Sequence, residues 1–210
     1  AASAGVAAEV KCEQGKAHLS YNPGRIDPGN NLWSGSRKPL ALQVQVEGDS
    51  LFIIGIDLVS KAADSPLYGA VQPPLRPSDA VRYAQATIIA DFVQQILTCE
   101  KEANVLVLGN GNDQPEVGTL APLYQAGLHN LADLLPSAER YTSIVDGNSQ
   151  LLQQAFASSA LLAAQPAYDV VHVNAEFANR VSDHDPVWAS FTLPIPAGIA
   201  PRAYLAYIGH

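Results

Sequence analysis

Two polar concentrations in the chain have the residue types for chemistry. In Ala103-Asn104-Val105-Leu106-Val107-Leu108-Gly109-Asn110-Gly111-Asn112-Asp113 an apolar run empties into a turn holding two Asn and one Asp. Polar groups at the end of a rigid strand are readily aimed at a ligand, so this turn suits a metal ion or a phosphate. It equally suits a plain structural turn, because Asn-Gly and Asn-Asp tolerate left-handed backbone. The second concentration is Ser182-Asp183-His184-Asp185-Pro186. A carboxylate beside an imidazole can orient it as a general base, or each can ligate a metal, provided a turn lets neighbouring side chains converge. A solvated turn accounts for the same residues.

The elements that must position these groups follow from periodicity. Leu40 to Val46 alternates with period two, Glu47-Gly48-Asp49 turns the chain, and Leu51 to Asp57 runs back, which predicts a β-hairpin. Residues 58–77, with four prolines, form a long loop of the length that usually serves a site or an interface. Ser78-Asp79 can cap a helix from about Ala80 to Lys101, with Val81, Ala84, Ile88, Phe92, Ile96 and Leu97 on one face. The strand ending at the Asn-rich turn comes next, then a shorter helix from about Thr119 to Gly127 and a turn over Asp133 to Pro136. Tyr141 to Val145 reads as a strand, Asp146-Gly147-Asn148 as a hairpin turn and Leu152 to Ser158 as its returning partner, with helix as the alternative for that Ala-rich stretch. Asp169 to Asn174 and Val187 to Leu193 are the last strands. Strands in antiparallel pairs with helices between them predict an α/β sandwich rather than a doubly wound parallel sheet.

The 210 residues suit one domain, divided into an irregular N-terminal arm (1–35), the body (36–193) and a C-terminal tail (194–210) whose Tyr204 and Tyr207 suggest packing on a neighbour. A net charge of -8 disfavours general affinity for nucleic acid backbones, though a local metal could still serve a nuclease. No apolar run approaches the roughly 18 residues of a membrane span, and no charged segment followed by an apolar core marks a signal peptide. The absence of Met, at position 1 as elsewhere, suggests a processed N-terminus or a piece of a longer chain. Cys12 and Cys99 can close a disulfide in an oxidising compartment or stay free and buried. Low charge content and many Asn, Gln, Ser and Thr point to a secreted, periplasmic or cell-surface protein.

Read in order, Ser36-Arg37-Lys38-Pro39-Leu40, the hairpin, Leu58-Val59-Ser60-Lys61, Arg82-Tyr83-Ala84-Gln85-Ala86, Gly109-x-x-Asn112-Asp113, Asp146-Gly147-Asn148-Ser149-Gln150, Val171-His172-Val173-Asn174-Ala175-Glu176-Phe177 and Ser182-Asp183-His184-Asp185-Pro186 resemble the endonuclease/exonuclease/phosphatase (DNase I-like) superfamily, and most closely its extracellular bacterial nuclease branch. The resemblance spans about residues 20–193. It implies an α/β sandwich of two mainly antiparallel sheets flanked by helices. It also implies a Mg²⁺ bound by acidic residues, an Asp-His pair that activates water and a second His that stabilises the transferring phosphoryl group.

Measured against that pattern, Asn112, Asp183 and His184 match, and Asp183 and Asn112 are the residues left to hold Mg²⁺ or Ca²⁺. Asp57 stands where the family carries His, Asn110 where it carries Asp, and Gln153 and Gln154 where it carries an Asp-His step. The family's first Asn and metal-binding Glu have no counterpart in residues 1–35, so the fold is expected to be an incomplete version. Losing a general acid or base costs about 10² to 10⁴ in rate, which leads to the expectation of a non-catalytic relative without a cofactor. Such a chain would serve as a structural or binding subunit that self-assembles or meets protein partners. A weakly active or partner-completed Mg²⁺-dependent nuclease or phosphatase, and a fragment of a longer enzyme, are the alternatives.

Overall fold

In the computed structural model, the residues described are 5–46, 48–66, 68–192 and the backbone of 202–207. The centre is a βαβ unit. Strand β5 (Asp49–Asp57) leads through the long loop into helix α1 (Pro77–Cys99), which returns the chain to β6 (Asn104–Asn110), parallel to β5. The run Val105-Leu106-Val107-Leu108 is apolar at every position because both faces of β6 are covered. Val105 and Val107 pack with Phe52, Ile54 and Ile56 of β5 and with Ile89, Val93 and Ile96 of α1. Leu106 and Leu108 turn to the opposite core, beside Leu51 and Ile53.

Around this unit a six-stranded sheet runs in the order β3 (Gly24–Arg25), β4 (Arg37–Val46), β5, β6, β10 (Gln153–Ser158), β7 (Leu128–Asn130). A second sheet of β11 (Ala167–Val170), β12 (Val187–Thr192) and β13 (Arg202–Tyr207) supplies Tyr168, Val170, Val187, Ala189 and Phe191 to the second core. The layers are therefore helix, sheet, sheet, and the expected α/β sandwich is present. β4 and β5 form the expected hairpin, while β5 and β6 add one parallel pair that the crossover helix permits.

Several expectations are corrected. The stretch read as an irregular arm contains the hairpin β1 (Val10–Glu13) and β2 (Lys16–Leu19) as well as β3, and Ala8, Ala17, Ile26 and Trp33 lie in the first core. Short strands with polar partners carry too few apolar positions to show a period. The Cys12–Cys99 disulfide ties this hairpin to the end of α1, assisted by Glu100, which accepts from Lys16 Nζ at 2.7 Å and from the Ala17 N–H at 3.1 Å. β8 (Ser143–Val145) pairs with β9 (Asn148–Gln150), and β10 joins β6 and β7 instead of returning to β8. The backbone of 202–207 in the tail pairs with β12 within the same chain; the tail's side chains, Tyr204 and Tyr207 among them, lie outside the described residues.

Helix α1 starts at Pro77, earlier than expected, because its N-terminus is capped from a distance. Asp64 accepts from the Ser78 N–H at 3.0 Å and from the Ser78 hydroxyl. Its buried side includes Arg82, Gln85, Ala86, Ile89, Val93 and Ile96. Two polar residues on that side displace the hydrophobic stripe from the one the apolar spacing suggests. The second helix, α2 (Ala121–Gln125), is shorter than Thr119 to Gly127, and α3 (Ser159–Ala163) follows β10.

Candidate functional site

The parallel strands β5 and β6 end side by side, and a cleft of about 850 Å³ opens there. Gly109 makes the exit from β6 possible. Its φ is +138°, and a Cβ at this position would lie 2.0 Å from the Ile56 carbonyl oxygen. Asn112 takes the left-handed conformation, φ +55°. Its N–H donates to Asn110 Oδ1 at 3.1 Å and its Nδ2 to the Leu58 carbonyl at 2.7 Å. Both amides line the cleft, and each also holds the turn.

Asp113 faces inward and is fully buried. It accepts from Arg82 Nε at 3.2 Å, from Thr119 Oγ1 at 3.0 Å and from the Gln114 N–H at 3.0 Å, with Lys61 Nζ at 3.0 Å. Burial pushes its carboxyl up, but Lys61 and Arg82 outweigh that and hold it below the usual range. Arg82, equally buried, also donates to Asp79 at 2.7 Å and to the Val59 carbonyl at 2.9 Å. This charged hub locks the β6 turn and the post-β5 loop onto α1. Asp113, expected with Asn110 and Asn112 in a turn suited to a metal ion or a phosphate, is instead taken by Arg82 and Lys61; the signal for this pairing is an Arg on the core side of a helix, which requires a buried acid.

The opposite wall is the 171–186 loop with Arg180, Asp183 and His184, together with Ser143 of β8. His184 is nearly buried, and burial lowers its pKa although Asp183 and Asp57 act to raise it. Its Nδ1 contacts Gln153 Nε2, and its Nε2 lies 3.9 Å from Asp183 Oδ2, beyond hydrogen-bond length. Gln153 Oε1 is buried without a partner. An amide carries no charge in either orientation, so this partner cannot stabilise an imidazolium as a carboxylate would.

The structure thus brings Asp57, Asn110, Asn112, Asp183 and His184 to one cleft. Gln153 meets it only through His184. Gln154 does not reach it: its Nε2 donates to the Asp113 carbonyl at 2.6 Å and its Oε1 accepts from Asn130 at 2.8 Å, because successive residues of β10 face opposite ways. Asp57 is engaged by Arg37. Mg²⁺ and Ca²⁺ need several oxygen donors, carboxylates among them, converging on one point. Among the described residues no three His, Cys, Asp or Glu side chains gather in that way, and the cleft's Asp57 is already paired. This donor set does not fit either ion.

No family model and no curated protein sequence matches the chain. Solved structures do. A truncated TDP2 from Caenorhabditis elegans aligns with a TM-score of 0.60 at 15% identity, over 88% of this chain and 66% of that one. The 3' phosphatase NExo from Neisseria, bound to a product DNA hairpin, aligns with a TM-score of 0.57 at 17% identity, over 82% of this chain and 70% of that one. The fold is DNase I-like. At these identities the endonuclease/exonuclease/phosphatase likeness is one of fold. A Staphylococcus aureus beta toxin shares the DNase I-like architecture with a TM-score of 0.50 at 14% identity, over 81% of this chain; another beta toxin structure holds magnesium ions. The chain spans 65% of that first beta toxin and 57% of a humanized D. rerio TDP2, less than two thirds of either.

Proposed function

We propose that this DNase I-like chain is a non-catalytic relative of metal-dependent phosphodiesterases whose cleft binds rather than hydrolyses. The observation that carries the reading is the pairing of His184 Nδ1 with Gln153. Replacing the carboxylate partner of a catalytic histidine by an amide costs about 10⁴ in rate in an enzyme otherwise complete. That Arg37 engages Asp57, and that among the described residues no three His, Cys, Asp or Glu side chains converge, supports the absence of a metal site as well. Hydrolysis of bis(p-nitrophenyl) phosphate and of duplex DNA, assayed with Mg²⁺, Mn²⁺ and Ca²⁺, should not differ between the parent and His184→Ala. Metal-dependent turnover that disappears in His184→Ala would overturn the reading.

That the chain acts as a subunit of an assembly outside the cytosol is part of the same proposal. The Cys12–Cys99 bridge supports an oxidising compartment. Tyr68, Leu75, Phe177 and Val181, all more than half exposed, support apolar contacts with other chains. The competing reading, weak or partner-completed hydrolysis, draws on Asn112, Asp183 and His184 sharing one cleft. It predicts activity that appears only when a further polypeptide supplies carboxylates, and the same assay in the native assembly separates the two.

A further inference from the structure

One side of the cleft is a polar row assembled by strand register. β4 sets Arg37 beside Asp57, β5 sets Asp57 beside Asn110, and β6 sets Asn110 beside Gln153, so the ends of four strands present these groups on one face of the six-stranded sheet. Paired residues on adjacent strands share a face and lie about 5 Å apart, close enough for neighbouring groups to meet one ligand. Within the row Arg37 engages Asp57, and Gln153 touches His184 Nδ1. Asn110, between these two pairs, is tied to neither.

The turn bonds use half of each amide and leave the other half open. Asn110 Oδ1 accepts from the Asn112 N–H at 3.1 Å, so its Nδ2 donors have no partner among the described residues. Asn112 Nδ2 donates to the Leu58 carbonyl at 2.7 Å, so its Oδ1 acceptor is open in the same sense. Across the cleft Ser143 Oγ donates to the Asp183 carbonyl at 3.1 Å and keeps its lone pairs. Three carboxylates, Asp57, Asp146 and Asp183, line the space against two guanidinium groups, Arg37 and Arg180. Burial holds His184 below the usual histidine range, so it adds no positive charge at neutral pH. A phosphate, which only accepts, meets those carboxylates; an ammonium, which only donates, meets Asn110 Nδ2 and Arg180. A hydroxyl does both and carries no charge to repel.

We propose that the ligand of this cleft is a neutral oligosaccharide, whose adjacent hydroxyls take the Asn110 Nδ2 donors and the Asn112 and Asp57 oxygens together; this rests on the reading that the cleft binds rather than hydrolyses. Two neighbouring hydroxyls on a sugar ring each donate and accept, which is what a row alternating carboxylate and amide asks of a ligand. The C–H faces of the rings lie against Leu58, Ile144 and Leu152, the apolar part of the lining. The volume of about 850 Å³ falls in the range of about 300 to 1,000 Å³ that encloses a ligand larger than a single small ring. A chain whose net charge is -8 also draws no polyanion to this surface, whereas a neutral ligand is indifferent to that charge.

Cellotriose, maltotriose and mannotriose, each titrated at millimolar concentration into the ¹⁵N-labelled chain, test this against a dithymidine dinucleotide. At least one trisaccharide should shift the amide signals of Asn110, Asn112 and Ser143, with an affinity that does not change when salt is raised, because no net charge is matched on binding. Asn110→Asp keeps the oxygen that accepts from the Asn112 N–H and removes only the Nδ2 donors. It should weaken that trisaccharide by about tenfold or more, the effect of one lost hydrogen bond whose partner is left unpaired, with the rest of the spectrum unchanged. Asp183→Asn, at a side chain that is mostly exposed, removes a charge without removing an acceptor and should change the affinity by no more than about threefold. No shift with any trisaccharide, or binding undiminished in Asn110→Asp, overturns the proposal. Tighter binding of the dinucleotide than of every trisaccharide overturns it too and leaves the binding reading of the cleft standing; cleavage of the dinucleotide overturns that reading itself.

Discussion

At the scale of single residues, the cleft is shaped by what each polar group is already doing. Asn110 and Asn112 hold their own turn, Asp113 is taken by Arg82 and Lys61, and His184 is held by an amide. Arg82→Ala leaves Asp113 buried with one cation fewer and should cost about 3 to 5 kcal/mol, read as a lowered urea midpoint. Gly109→Ala meets both the positive φ and the Ile56 carbonyl, and should cost about 2 to 4 kcal/mol in the same titration. The two buried acids also set the acid limit. Asp113 and Asp185 have folded pKa values below their unfolded value of about 3.9. The folded state therefore binds fewer protons, and their contribution is whole above that value and lost as pH falls through the folded one. Asp185→Asn should flatten this acid limb of a pH series of denaturation midpoints.

At the scale of elements, the β5–α1–β6 unit places the site and the disulfide secures its flank. Ile54, Val93 and Val107 interlock the strands with the helix, so the ends of β5 and β6 are rigid where the cleft begins. The bridge between β1 and the end of α1 closes a loop over a separation of 87 residues. Chain-entropy arguments give such a loop about 3 to 5 kcal/mol. Reduction, or Cys12→Ser with Cys99→Ser, should lower stability by that amount, measured as the shift in denaturation midpoint with and without reductant. The hydrophobic periods in β4, β5 and β6 were legible because one residue in two, or every residue, meets a core. The strands of residues 10–25 were not, because their hold on the body is a disulfide, Glu100, the buried Ala17 and the partly buried Val10 and Leu19.

At the scale of the whole molecule, the sandwich is asymmetric, with a six-stranded sheet facing one of three strands among the described residues. Apart from the sheets, the loops carry large exposed apolar side chains, Tyr68 and Val181 among them. Sedimentation velocity at micromolar concentration should show species heavier than one chain, alone or with native partners. A stable monomer that binds none of its native neighbours would remove the structural role from the proposed function.

By itself the sequence determined the alternating hairpin, the central apolar strand with its Asn-Gly turn, the long helix and the two cysteines free to pair. It also determined which residue types stand at Asp57, Asn110, Gln153 and Gln154, and so the shortage of acids and imidazoles. Only the tertiary structure decided what these residues do. Arg82 meets Asp113, and Gln153 meets His184, each across 31 positions; Arg37 meets Asp57 across 20. It also separated Gln153 from Gln154, one against His184 and the other against the buried turn. Local periodicity records which face of a strand or helix is apolar. Which polar group satisfies a buried charge depends on where β5, β6 and β10 end relative to α1 and the 171–186 loop, and that is set by packing over the whole chain.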